Sequence, residues 1–145
     1  MDTSFVLSHL HLDGHTEEAR EWIGRLSGPG VISPLVRLEF HNMLWRKVGH
    51  NGFERGHADE IISEFEDQIE GGWFVLERVD RDRLDERAMG LTRLYAQELK
   101  VRALDILHVA QALELGVRSF WTFDLRQRKL AERVGFKVGL TGASP

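Results

Sequence analysis

Four acidic residues stand where backbone patterning changes, and their placement suggests chemistry before any fold is drawn. Asp124 directly follows the apolar run Ser119 to Phe123, Asp2 precedes the apolar stretch Phe5 to Leu7, and Glu39 lies about a turn and a half into the helix expected after Val31-Ile32. Asp105 sits in Leu104-Asp105-Ile106-Leu107, on a segment apolar almost all round. A carboxylate there is heavily penalised unless it ionises beside a cation or lines a cavity. Each acid also has a plainer reading. Asp124 with Gln127 three residues on fits a helix capping box. Glu39 fits a solvated helix position beside Arg37, and Asp105 can pair with Arg102 or bond His108.

The elements that would position these acids alternate between helical and strand patterning. Thr16 is expected to cap a helix carrying Ala19, Trp22, Ile23 and Leu26 on one face, stopped by Gly28-Pro29-Gly30. Val31-Ile32 reads as a short buried strand. Ser33-Pro34 opens a helix with Val36, Phe40, Met43, Leu44 and Val48 on its apolar face, ended by Gly49. An acidic helix carrying Ala58, Ile62, Phe65 and Ile69 follows, then a strand from Trp73 to Val79, a helix over 81–99, a buried helix over 102–115 and a strand over 117–123. A basic helix over 125–134 and a last strand over 136–140 complete the chain. Strands separated by helices imply an α/β fold, a parallel sheet covered on both faces. In such sheets ligands bind beyond the carboxyl ends of the strands, where the acids fall.

Composition narrows the function classes. The chain has 145 residues, which points to a single domain over 1–145, and 42% of them are apolar, as in an ordinary soluble protein. It has no cysteine, which excludes a disulfide scaffold, a cysteine zinc site and a thiol nucleophile. No apolar run approaches the ~18 residues of a membrane span and no signal peptide is evident, so a cytoplasmic location is expected. The formal net charge of −4 argues against bulk coating of nucleic acid but not against a nuclease. Residues 54–86 hold 12 acids and 4 bases, so a polyanion is expected to dock elsewhere.

Four stretches carry a resemblance. They are Asp2-Thr3-Ser4-Phe5-Val6-Leu7, Ser33-Pro34-Leu35-Val36-Arg37-Leu38-Glu39-Phe40, Arg102-Ala103-Leu104-Asp105-Ile106-Leu107-His108-Val109-Ala110, and Thr122-Phe123-Asp124-Leu125-Arg126-Gln127 followed by Leu130-Ala131 and Gly135-Phe136. In order and spacing the chain resembles PIN-domain ribonucleases, among them the VapC toxins of toxin-antitoxin pairs. The resemblance implies a three-layer α/β/α sandwich and a metal site of Asp2, Glu39, Asp105 and Asp124 holding Mg²⁺ or Mn²⁺. It further implies metal-dependent endonucleolytic cleavage of RNA, a homodimer, and an antitoxin protein as partner. Electrostatics agree, because two carboxylates about 5 Å apart repel by roughly 3 kcal/mol at an effective dielectric of 20, which a hard divalent ion relieves. Oxygen ligands favour Mg²⁺ or Mn²⁺ over zinc. The family's first acid ends a central strand, whereas only Met1 precedes Asp2 here, so the first strand is expected to be truncated.

Supporting roles follow by position. Thr3, Ser4, Ser33 and Thr122 stand beside the acids, where hydroxyls orient carboxylates or cap helices. Arg126, Arg128 and Lys129, with Arg133, make the last helix basic, a face suited to RNA phosphates or simply to solvent. His9, His11 and His15 are spaced too loosely for a zinc site, and His108 is expected to pack beside Asp105. Trp22, Trp45, Trp73 and Trp121 read as core. A phosphohydrolase of the Asp-x-Asp type is disfavoured because Asp2-Thr3-Ser4 lacks the second carboxylate. The alternative to an enzyme is a catalytically silent PIN scaffold that binds protein or RNA.

Overall fold

Short strands separate pairs of helices, and in the last case a single helix, along the described chain, which in this computed structural model comprises residues 1–11 and 13–138. The order is α1 (Thr3–Leu10), α2 (Thr16–Gly24), β1 (Gly30–Ile32), α3 (Pro34–Lys47), α4 (Arg55–Glu70), β2 (Phe74–Leu76), α5 (Arg81–Leu99), α6 (Ala103–Glu114), β3 (Ser119–Phe120), α7 (Leu125–Arg133) and β4 (Lys137–Val138). Both strand pairs are parallel, so the fold is α/β. None of the described helices is long and apolar enough to cross a membrane. The chain divides into two units: Met1 with Thr3–Leu76, and Asp2 with the residues from Glu77 onward.

In the first unit β1 pairs with β2, Gly30 opposite Phe74 and Ile32 opposite Leu76. Gly30 is required by close approach, since a Cβ there would lie 2.9 Å from the side chains of both Met1 and Phe74. Met1 runs along the other edge of β1, its terminal amine donating to the Val31 carbonyl at 3.0 Å. The sequence signal for α3 holds in detail: Pro34 occupies the first turn, and the Ser33 hydroxyl accepts the Val36 N–H at 3.2 Å. α3 buries Val36, Phe40 and Leu44 at i, i+4 and i+8 against Val6, Leu7 and Leu10 of α1 and Ala58, Ile61 and Phe65 of α4. The rings of Phe40 and Phe65 lie 4.2 Å apart. On the outside of the same helices Arg37 grips Glu66 through Nε at 2.9 Å and Nη2 at 2.6 Å, and His41 Nε2 lies 2.7 Å from Glu66. Burial pushes the Glu66 carboxyl up, but its bonds with Arg37 and His41 outweigh that and hold it below the usual carboxylate range.

In the second unit β3 pairs with β4, Ser119 opposite Lys137 and Phe120 opposite Val138. Ile106, Val109, Ala110 and Ala112 of α6 pack with Leu130 and Ala131 of α7, Leu91 of α5, and Phe120, Phe136 and Val138. α5 reaches α6 through a nearly buried Glu114 carboxylate that pairs with Arg87 at 2.7 Å and Arg83 at 3.2 Å. Lys100, which ends α5, adopts the left-handed conformation at φ +54.

Several sequence expectations need correction. The strands expected over 73–79 and 117–123 shrink to Phe74–Leu76 and Ser119–Phe120, because the apolar runs continue beyond the residues that find ladder partners. Gly139 and Leu140, expected in the last strand, lie outside the described residues. Among the described residues the ladders form two separate parallel pairs and not one continuous sheet. Thr16 does not cap α2 but begins it, its hydroxyl accepting the Asp13 N–H at 2.7 Å, and Leu26 lies beyond the helix end. Met43 and Leu104 are exposed, and Trp73, expected in the core, is 69% exposed at the start of β2.

Candidate active site

The second unit gathers three of the four acids through a short hydrogen-bond network. Asp124 follows β3 by a few residues and caps α7, its Oδ1 accepting the N–H groups of Arg126 at 2.7 Å and Gln127 at 3.2 Å. Asp124 is thus an N-cap but the expected capping box is not closed, since its own N–H goes to Thr122 and the Gln127 side chain to Asp105. Its Oδ2 is left turned toward the Arg126 side chain. Asp105, in the first turn of α6, is buried, and its Oδ2 accepts the Arg102 backbone N–H at 2.8 Å. Arg102 thus meets Asp105 through its main chain. Gln127 joins the two acids: its backbone donates to Asp124, and its side-chain amide lies 3.4 Å from Asp105 Oδ1.

Asp2 enters the same network from the chain start. Its N–H donates to the Trp121 carbonyl at 2.9 Å, and its Oδ2 accepts the Thr122 hydroxyl at 2.9 Å. Thr122 Oγ1 in turn accepts the Asp124 N–H at 2.9 Å. One buried hydroxyl therefore fixes the first acid and the loop that carries the last. Both Asp2 and Thr122 are almost wholly withdrawn from solvent.

In the first unit Glu39 lies on α3, half-buried, with its Oε2 accepting the Thr3 hydroxyl at 2.6 Å. Thr3 thus orients a carboxylate, whereas the Ser33 hydroxyl is committed to capping α3. Ser4 is partly buried in the first turn of α1. His9 stacks edge-on to Phe74 and His11 edge-on to Phe53 and His57. Among the described residues no three His, Asp or Glu side chains stand close enough to enclose one ion. His108 is buried on α6, one turn beyond Asp105.

The cations of α7 divide. Arg126 turns back toward the acids, its Nε 3.8 Å from Asp105 Oδ2 and its Nη2 3.7 Å from Asp124 Oδ2. Arg128 pairs with Glu132 at 3.5 Å and Arg133 with Glu98 at 2.6 Å, while Lys129 is exposed. Sequence reasoning took Arg126 as part of an outward basic face and Gln127 only as a capping partner. The signal for Gln127 was a polar residue three before Leu130, on the face of α7 that must be buried.

Asp105 and Asp124 offer carboxylate oxygens, the donor type that a hard divalent cation takes, with the Arg126 guanidinium between them and no third acid or imidazole converging on them among the described residues. No curated protein matches the chain. The family model of the PIN domain matches residues 1–133, so the chain belongs to the PIN-domain family, whose members are typically metal-dependent nucleases.

Proposed function

We propose that this protein is a divalent-metal-dependent endoribonuclease that hydrolyses RNA phosphodiester bonds. The observation that carries the reading is the network in which Thr122, Gln127 and Arg126 tie Asp2, Asp124 and Asp105 together in a chain of this family. Asp2, Asp105 and Asp124, joined by Glu39, would hold Mg²⁺ or Mn²⁺. Support for including Glu39 is that its hydroxyl donor, Thr3, is the residue after Asp2. The three-layer α/β/α sandwich and the single PIN-like domain over 1–145 belong to the same proposal, supported by a family match that runs from residue 1 to 133.

When bound, the ion supplies Lewis acidity for in-line attack of water on phosphorus and offsets charge on the leaving oxygen. Water adds to phosphorus as the P–O bond to the leaving oxygen breaks, giving a phosphate monoester and a free hydroxyl. The protein's part is positional: Thr3 and Thr122 aim Glu39 and Asp2, and Gln127 holds Asp105 against the α7 cap. Lys129, with Arg126 and Arg128, would carry RNA phosphates.

By its resemblance to VapC toxins, the protein is further proposed to act in the cytoplasm as a homodimer restrained by an antitoxin protein. Incubation of the purified protein with structured RNA, with and without Mg²⁺ or Mn²⁺, tests the activity. The expected result is metal-dependent cleavage lost in Asp105→Asn. RNA left intact by the wild type in either metal would instead favour the silent binding scaffold.

A further inference from the structure

Arg126 sits between two carboxylates that come from different helices. Its distances of 3.8 Å to Asp105 and 3.7 Å to Asp124 are those of ion pairs and lie outside hydrogen-bond contact, so the guanidinium offsets part of the charge of the two acids without being locked to either. The Asp105 side chain is only 8% exposed while that of Arg126 is 39% exposed, so the cation reaches a buried anion from the solvent side. Its backbone is fixed, because the Arg126 N–H donates to the Asp124 cap at 2.7 Å. The side chain alone is left to turn.

We infer that Arg126 is an internal counter-cation that competes with the divalent ion for Asp105 and Asp124 and turns to the RNA phosphate when the ion displaces it. The inference rests on the ribonuclease reading of the site. A guanidinium and a divalent ion cannot both lie against the same carboxylate oxygens without strong mutual repulsion. Once displaced, the planar fork of an arginine finds its best replacement partner in a phosphate, which it binds through two parallel N–H groups. Metal and RNA then assist each other's binding, and by linkage the assistance is equal in both directions. Arg126 is in this sense a positioning residue that lowers the negative charge of the site until both arrive.

Calorimetric titration of Mn²⁺ into the RNA-free protein tests this, using Arg126→Gln, Arg126→Lys, Asp105→Asn and the control Arg133→Gln, whose native partner is Glu98. The expected result is Mn²⁺ binding about tenfold tighter in Arg126→Gln, the scale of two partly exposed ion pairs, with Arg133→Gln unchanged. A short phosphorothioate RNA should tighten Mn²⁺ binding to the wild type and leave Arg126→Gln unaffected. Arg126→Lys, which keeps the charge without the fork, should bind Mn²⁺ as the wild type does yet lose most of the tightening by RNA. This variant carries the test if Arg126→Gln fails to give a wild-type circular dichroism spectrum. Wild-type Mn²⁺ binding that is weakened by Asp105→Asn but not tightened by Arg126→Gln would overturn the role of Arg126 and leave the metal site standing. No Mn²⁺ binding by any variant would overturn both.

Discussion

The hydroxyl of Thr122 donates to the carboxylate of Asp2 across 120 positions of sequence and accepts the N–H of Asp124 two residues on. The first bond is buried and the second partly so, and replacing the hydroxyl by a methyl leaves the buried carboxylate and the amide each short of a partner. Thr122→Val, nearly identical in shape, should therefore destabilise the protein by about 1–3 kcal/mol in urea denaturation, with Thr122→Ser restoring most of the loss. A stability for Thr122→Val equal to that of the wild type would show that the hydroxyl does not carry the network.

Asp124 both caps α7 and faces Arg126, and the two roles separate by substitution. Asparagine caps helices as well as aspartate does, so Asp124→Asn should keep the melting temperature of the wild type while cleavage falls by about a hundredfold or more. Asp124→Ala should lose the activity and about 1 kcal/mol of stability besides. Thermal melts beside RNA cleavage assays distinguish the two.

Acidification should weaken the fold through two histidines of the first unit. Burial pushes the His9 imidazole below its usual value of 6.5, helped by Arg20, and burial, Lys47 and His57 do the same to His11. A base whose folded-state value is depressed takes up its proton more readily when unfolded. The stability it confers is therefore complete above about pH 6.5 and is lost as the pH falls from there through the folded-state values. Asp13 and Glu66 are also depressed, from 3.8 and 4.5, and their contribution disappears only in more acidic solution. Melting temperatures should be level between about pH 7 and 8 and decline below about pH 6.5, and the decline should flatten in His9→Gln/His11→Gln. An equal decline in the double variant would assign the effect elsewhere.

Lys100 ends α5 in the left-handed region, φ +54, where a side chain is strained and glycine is not. Lys100→Gly should raise stability by up to about 1 kcal/mol, read from the urea midpoint. A lower midpoint would mean that the lysine side chain contributes more than its backbone strain costs.

The parts of this fold that were legible in the sequence are those decided within a few residues. Ser33-Pro34 opens α3, α5 runs over 81–99 as its periodicity demands, and Asp124 caps α7, because capping and apolar spacing are local properties. Strand lengths were not legible, since apolar runs such as 117–123 look alike whether or not a neighbour supplies ladder bonds. Trp73 stands exposed despite apolar neighbours for the same reason: burial is decided by what packs opposite. Within the candidate site each acid could be singled out, but the links between them could not. The bridging position of Gln127 depends on which face of α7 meets α6, and the inward turn of Arg126 depends on where Asp105 lies in space.

The seat of Asp2 bears on how the protein is made. Synthesis delivers Asp2 more than a hundred residues ahead of the Trp121 carbonyl and Thr122 hydroxyl that receive it. During translation, at about 5–20 residues per second, the first acid therefore waits roughly 6–24 s for its partners, while the helices of the first unit are being made. A nascent chain stalled or cleaved short of residue 122 carries Asp2 and Glu39 but has no place to fix the former. On the proposed reading, nuclease action near the ribosome is thereby withheld until Trp121 and Thr122 have been made.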